Sequence, residues 1–223
     1  MNSATSLSSS GIADRFASHA VVLPDAAVEG IRVYLEFLMK WNKAMNLVGA
    51  TTWEKALDDL VLDSVYLAAF VQTLPVPEHP VCWDIGAGAG LPGIPLRILW
   101  RQGLYTMVEA REKRALFMRT VLAALPLPGT FVFAGRVENF FGKGPAADMV
   151  VSRAFMPWEK MLALIAPHLA PCGKMVFLML EPAPSTLPAG WRVVGSKGYT
   201  AGGKQRYFWC LEHCNVEQRP LQE

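Results

Sequence analysis

The stretch from Val81 to Gly93, reading VCWDIGAGAGLPG, constrains this chain more than any other part of it. A short apolar run closes on Asp84, glycines follow at 86, 88 and 90, and Pro92 stands where a helix would begin. That order predicts a strand, a tight turn and a helix N-terminus, with unpaired backbone N–H groups beside a ligand. Glycine has no Cβ, so the turn bends sharply and lets a ligand approach the backbone closely. The segment reads as a nucleoside site, and the rest of the chain has to fit around it.

Gly88 to Gly93 satisfies G-x-G-x-x-G, which by itself suggests a dinucleotide. Two features point elsewhere. Asp84 extends the pattern to D-x-G-x-G-x-G, which resembles the loop of class I S-adenosylmethionine (SAM) methyltransferases. A carboxylate there can hold the ammonium of the methionine part, directly or through water, and would repel a pyrophosphate. A dinucleotide domain also usually starts with its loop, whereas about eighty residues precede this one. The plain alternative is an ordinary glycine-rich turn between packed elements.

With 223 residues, 52% hydrophobic and 18% charged, the chain suits one α/β domain with a modest extension and excludes wholesale disorder. The net charge of +2 is unevenly spread: residues 1–79 carry −4 and residues 80–223 carry +6. The half with the glycine loop is the basic half, which favours an anionic partner such as nucleic acid. Cys82, Cys172, Cys210 and Cys214 form no C-x-x-C pair, and Cys210 to Cys214 lacks a fourth ligand at finger-like spacing, so reduced thiols and no metal are expected. The serine-rich start has no signal-peptide pattern, and prolines and a glycine break the most apolar later segment, 161–180. A soluble, cytoplasmic protein without membrane association is expected.

Residues 1–23 read as a flexible N-terminal tail. From Pro24, Val28, Ile31, Leu35, Leu38 and Trp41 recur at helical spacing, and Leu57, Val61, Val65 and Ala69 mark a second stripe between Trp53 and Phe70. Residues 24–79 therefore form a helical cap, closed by Pro75, Pro77 and Pro80. From 80 to 214, apolar runs at 81–85, 104–109, 130–134, 147–151, 174–180 and 206–211 alternate with helical candidates at 96–100, 115–124 and 158–169. That alternation predicts a mostly parallel sheet covered by helices. Val193 and 206–211 lack a helix between them and read as a closing antiparallel pair, with a C-terminal tail at 215–223.

Glu109 ends the second strand, 19 residues after Gly90, where an acid can accept both hydroxyl protons of a ribose. Its alternative is a strand-end carboxylate paired with Arg111 or Lys113. Arg136-Val137-Glu138 follows the third strand, where an adenine would be covered; Glu138 reads equally as a helix-start acid. Arg153, after the fourth strand, can hold a phosphate or carboxylate bidentately, or form a salt bridge to Asp148 or Glu159. Arg111, Arg114 and Arg119, with Arg97 and Arg101, read equally as a basic surface for RNA phosphates or as a solvated helix face.

Trp41-Asn42-Lys43-Ala44-Met45-Asn46-Leu47 resembles the W-N-K-x-x-N-L motif of the RsmG (GidB) family of small-subunit rRNA methyltransferases. Leu62-Asp63-Ser64 is similar to its L-D-S motif, and Asp84 to Pro95 to its D-x-G-x-G-x-G-L-P-G-I-P loop. Glu109 with Lys113-Arg114 and Phe117-Met118, Arg136-Val137-Glu138, and Ser152-Arg153-Ala154-Phe155 resemble three further segments, so the likeness runs from about 25 to 211. The resemblance implies a class I SAM-dependent methyltransferase fold, with a Rossmann-like, mostly parallel seven-stranded sheet behind the helical cap. It implies methyl transfer from SAM to N7 of one guanine in 16S rRNA of the small ribosomal subunit; separately, a monomer is expected. Cofactor contacts carried over are Gly86, Leu91, Val137, Glu138 and Arg153, joining Asp84, Gly88, Gly90 and Glu109. Asn42, Lys43 and Asn46 would shape the mouth of the site and, with Arg153, position the substrate. Two departures stand out: Leu60 where the family often has His, and Leu180-Glu181 where it commonly has Lys-Gly. Lys174, Lys204 or Arg206 are candidates to compensate.

Guanine N7 carries an in-plane lone pair and no proton, so the reaction requires positioning rather than a general base. No catalytic His, no (N/D)-P-P-(Y/F) motif and no cysteine pair for C5 methylation is present, in agreement with that chemistry. The rival readings are a SAM methyltransferase for a small molecule or protein, an NAD-dependent oxidoreductase, and a non-catalytic RNA- or ribosome-binding module.

Overall fold

The structure, a computed structural model, describes residues 7–214; residues 1–6 and the expected C-terminal tail at 215–223 lie outside the described residues. Seven strands, β1 (Val81–Ile85), β2 (Leu104–Glu109), β3 (Thr130–Ala134), β4 (Ala147–Arg153), β5 (Leu169–Met179), β6 (Trp191–Ala201) and β7 (Lys204–His213), form a single sheet. Their order is β3-β2-β1-β4-β5-β7-β6. The first five are parallel; β7 runs antiparallel to β5, and β6 antiparallel to β7. The strand order reverses between β1 and β4, whose registers match Cys82 with Met149 and Asp84 with Val151. Ligands of open α/β sheets bind at the carboxyl ends of the strands flanking such a reversal.

Alternation along the strands splits the core between the two faces. Cys82, Tyr105 and Met107 face one layer, Trp83, Ile85 and Val108 the other. The first layer holds the cap: α1 (Ser9–Ala17), α2 (Asp25–Met45), α3 (Trp53–Ala56) and α4 (Leu62–Val71), packed with α5 (Gly93–Leu99) and α6 (Glu112–Ala124). The second holds α7 (Trp158–Ile165), after which Pro167 sits in a single 3-10 turn, Ala166–His168, ending the helix before the expected 169.

Two expectations change. Within the expected tail at 1–23, the described residues 7–23 hold a helix: Ser8 caps α1, whose Ile12 and Phe16 are fully buried against the cap. The expected helix from Trp53 to Phe70 is interrupted by a π turn at Leu57–Val61. A π turn fits an extra residue into one turn and rotates the helix beyond it, which leaves Ala69 exposed while Leu67, Ala68 and Phe70 are buried. Among the described residues, no helix is long and apolar enough to cross a membrane.

Candidate functional site

The glycine loop leaving β1 is bonded mainly to itself and to β2. Gly86 and Ala87 donate to the Val108 carbonyl at 3.0 and 3.1 Å, Gly90 and Leu91 to that of Ala87 at 2.8 and 3.2 Å, and Ile94 to that of Gly90 at 2.7 Å. Gly88 donates to Glu109 Oε2 at 2.9 Å. The unpaired N–H groups expected beside the ligand are therefore engaged within the fold. A pyrophosphate would need those donors, so the loop disfavours a dinucleotide. From the cap, the buried Tyr34 hydroxyl donates to the Ala89 carbonyl at 2.9 Å and pins the loop from behind.

Asp84 also lies behind the loop, 1% exposed, rather than at a ligand-facing surface. Its Oδ2 would stand only 2.5 Å from a Cβ at position 93, which is why glycine occupies that position. Burial pushes the carboxyl up to about 7, partly offset by the Tyr105 hydroxyl, the Arg153 charge and the Gly93 N–H. Asp84 Oδ2 and Tyr105 Oη are both buried, and neither makes a hydrogen bond of good geometry. Leu91 is 5% exposed and likewise supports the loop from within.

At the carboxyl ends of β1, β2 and β4, and beyond β3, lies a cleft of about 420 Å³. It brings together Gly86, Glu109, Val137 and Glu138, with Arg111, Arg114 and Phe155 at its walls. Gly86 has φ +77°, and a Cβ there would run into the Phe155 ring. Glu109 braces the cleft: Oε2 accepts from Gly88 and Oε1 accepts from the Arg111 N–H at 2.8 Å. It does not use Arg111 or Lys113 as side-chain ion partners, since its oxygens bond backbone donors. Glu138, exposed, pairs with Arg136 at 3.3 Å.

A second cleft, of about 370 Å³, opens between the cap and the β6–β7 hairpin and shares Ala154 with the first. Arg153 lines it and binds neither expected partner: its Nη1 lies 3.2 Å from Asp63 Oδ2. Asp148 instead accepts the Val81 N–H at 2.8 Å. Leu60 and Leu180, the two departures from the family pattern, both line this cleft, with Lys204 and Arg206. Lys174, the other candidate replacement, is buried in mid-β5 in an ion pair with Glu212 at 3.1 Å, away from this cleft's lining.

The two asparagines of the cap have local work. Asn42 Nδ2 donates to the Ala50 carbonyl and its Oδ1 accepts the Val48 N–H, both at 2.9 Å. Asn46 ends α2 in the left-handed region at φ 47°, a conformation asparagine tolerates. Asn42 thus holds the loop that follows α2, and Asn46 ends the helix. Asn46 also lines a hollow with Arg111, Lys113 and Arg114 beside the first cleft, and Lys43 is exposed one turn earlier.

The expected basic surface is divided. Arg111, Lys113 and Arg136 are exposed around the first cleft. Arg97 is completely buried: its guanidinium donates to the carbonyls of Trp100, Arg101, Gln102, Gly103 and Pro128 and to Thr130 Oγ1. It stitches the amino end of β2 and takes no part in an RNA surface. Phe155, Asp63 and Tyr199 had no assigned role in the sequence. Asp63 was signalled, as a lone acid in an apolar helical run that requires buried partners.

The GidB family model, described as rRNA small subunit methyltransferase G, matches residues 27–182. A ribosomal RNA small subunit methyltransferase G from Nitratidesulfovibrio vulgaris (strain DP4) is 57% identical over 184 residues, covering 82% of this chain and 84% of that protein. One from Lawsonia intracellularis (strain PHE/MN1-00) is 47% identical over 192 residues, covering 85% and 88%. Among solved structures, an O-methyltransferase from Bacillus cereus in complex with SAH is similar with a TM-score of 0.64 at 14% identity, covering 92% of this chain and 100% of that one. A mutant of MtNAS in complex with S-adenosylmethionine gives a TM-score of 0.55 at 16% identity, covering 93% and 78%. At such identities the structural likenesses speak for the fold, which is that of a class I methyltransferase. The family match runs from the cap through the glycine loop and Arg153 to the end of β5, across the walls of the first cleft. By that match and the identity of its relatives, this chain is a member of the GidB family, the rRNA small subunit methyltransferase G enzymes.

Proposed function

We propose that this protein transfers the methyl group of SAM to N7 of a specific guanine in 16S rRNA of the small ribosomal subunit, acting as a monomer in the cytoplasm. The observation that carries the reading is the cleft at the sheet's reversal point, in which Glu109, Gly86 and the Val137-Glu138 pair converge. Its volume lies within the range of roughly 300–1,000 Å³ that small-molecule sites occupy. Bound SAM supplies an electrophilic sulfonium methyl; the chain supplies placement.

The residues fit that ligand. Each carboxylate oxygen of Glu109 has a second lone pair beyond the backbone bond it already accepts, so both can receive ribose hydroxyls. Val137, 6% exposed, offers an apolar surface and backbone groups to an adenine beside Glu138. Arg153 presents a guanidinium to the donor's carboxylate. Gly86 allows close approach, while Asp84, Gly88, Gly90 and Leu91 set the loop's shape from behind. Nothing in the reaction requires a base, because N7 has no proton to lose. Holding the guanine in line with the methyl and keeping water out lowers the barrier. Arg111, Lys113, Arg114 and Arg136 supply positive charge around the cleft for an anionic partner, with Asn46 and Lys43 close by.

The test is methyl transfer from labelled SAM to small subunits purified from cells lacking the gene, followed by mapping of the modified base. A single guanine cleavable as an N7-methyl site is expected. Label on a pyrimidine or an exocyclic amine, or none on subunits and free rRNA despite SAM binding, would reject the assignment.

A further inference from the structure

Asp63 is 1% exposed, and donors from three distant strands converge on it. Tyr199 on β6 donates a hydrogen bond from its hydroxyl to Oδ1 at 2.9 Å. Arg153 at the end of β4 donates Nη1–H to Oδ2 at 3.2 Å. Arg206 on β7 donates to the same oxygen, and its Nη1 also reaches the Asp59 carbonyl at 2.8 Å. Burial raises the Asp63 carboxyl, and the Arg206 and Arg153 charges together with the Tyr199 hydroxyl offset that rise only in part. Burial likewise raises the Tyr199 phenol and keeps it a proton donor.

Two guanidiniums share one carboxylate, which leaves a formal surplus of one positive charge in a largely desolvated setting. Such a surplus is costly unless an anion completes the group. Arg153 is the member that can meet one. It is the last residue of β4, next to Ala154, the residue common to both clefts. Its charge is also felt at Asp84 and Tyr34 behind the glycine loop. With one nitrogen held by Asp63, the planar guanidinium loses rotational freedom while keeping other N–H groups available.

We propose that Asp63 is a positioning residue that aims Arg153 at the carboxylate of the methyl donor, and that Tyr199 and Arg206 hold Asp63 in turn. The inference rests on the SAM reading above. It makes the β6–β7 hairpin part of the donor site: Arg153, Tyr199 and Arg206 all line the second cleft, and Arg153 reaches the first from beside Ala154.

The experiment measures binding of SAM and of decarboxylated SAM by calorimetry to the intact protein and to Arg153→Ala, Asp63→Asn, Tyr199→Phe, Arg206→Lys and the Asp63→Asn/Arg153→Ala double variant. Circular dichroism and thermal melting establish that each is folded. Arg153→Ala and Asp63→Asn are each expected to weaken SAM binding at least about tenfold, the scale of a charged hydrogen bond. The double variant should be no weaker than Arg153→Ala alone, since both changes remove one interaction. Tyr199→Phe should weaken SAM binding about threefold or more by freeing Asp63 Oδ1. Decarboxylated SAM should bind all of them alike, and KM for SAM should rise with little change in kcat. Unchanged SAM binding by a folded Asp63→Asn or Tyr199→Phe protein would overturn the proposal, as would additive effects or equal losses for both ligands. If Asp63→Asn does not fold, Tyr199→Phe and Arg206→Lys decide. Failure of the unmutated protein to bind SAM would reject the cofactor reading itself, and the inference with it.

Discussion

At Gly86 the backbone has φ +77° and the Phe155 ring fills the space a side chain would need. Gly86→Ala imposes strain of about 1–3 kcal/mol and drives Phe155 toward the cleft. A loss of SAM affinity of at least about tenfold is expected by calorimetry, with a drop in stability by urea denaturation. Asp84, two residues earlier, makes a pH prediction. Its folded-state carboxyl, pushed up to about 7 by burial, stays protonated at pH values where the unfolded chain has ionised. The native state then binds more protons than the unfolded one, so this group's contribution to stability is full below about pH 4 and is lost as pH rises to about 7. The stability of the unmutated protein relative to Asp84→Asn should therefore fall by about 1.4 kcal/mol per pH unit across that window. Urea melts at several pH values check it, and a flat difference would show that Asp84 is solvated in the native state.

At the scale of elements, the site is assembled by ends: the carboxyl ends of strands, the C-terminus of α2 and the start of α6. Arg111 precedes α6 and Arg114 lies in its first turn, so both stand beside Glu109 at the junction of the first cleft with the Asn46 hollow. Phosphate contacts there make binding salt-dependent. Arg111→Glu is expected to weaken binding to the small subunit and to reduce the slope of log affinity against log salt by about 1. Filter binding across a salt series measures it. Arg101→Glu, exposed at the far end of the sheet, should leave that slope unchanged.

At the scale of the whole molecule, cap and sheet share one core. Ile12 and Phe16 of α1, Leu35 and Leu38 of α2, and Tyr105 and Met107 of β2 belong to the same buried cluster. The cap is therefore part of the methyltransferase fold and not an appendage to it. Phe16→Ala, at a residue that lines neither cleft, should lower unfolding stability by about 3–5 kcal/mol, as for other buried aromatic truncations. A cooperative thermal melt should shift as one transition, whereas an independent cap would melt separately.

The strands, most helices and the glycine loop were legible in the sequence because each depends on local chemistry. Apolar runs of strand length, helical periodicity in α2, and glycines with positive φ are readable from neighbours alone. The ribose role expected of Glu109 came from an interval along the chain, whereas its bond to the Gly88 N–H came only with the fold. Partners distant in sequence were not legible. Arg97 resembled a surface arginine until the fold closed five carbonyls around it. The local bonds of Asn42 were hidden too, because nothing in its spacing shows that its side chain ties down the loop at Val48 and Ala50. Residues 9–17 resembled the rest of a polar tail because two buried side chains, Ile12 and Phe16, acquire meaning only against α2 and its neighbours. Asp63 shows the division most plainly: an acid in an apolar run announces that it must be paired, but its bond to Tyr199 spans 136 residues. Sequence alone determined the local elements and the family, since both are written in short-range patterns. Only the tertiary structure decided which charges are buried, which are paired and which remain to meet a ligand, because burial and pairing depend on side chains that folding brings together.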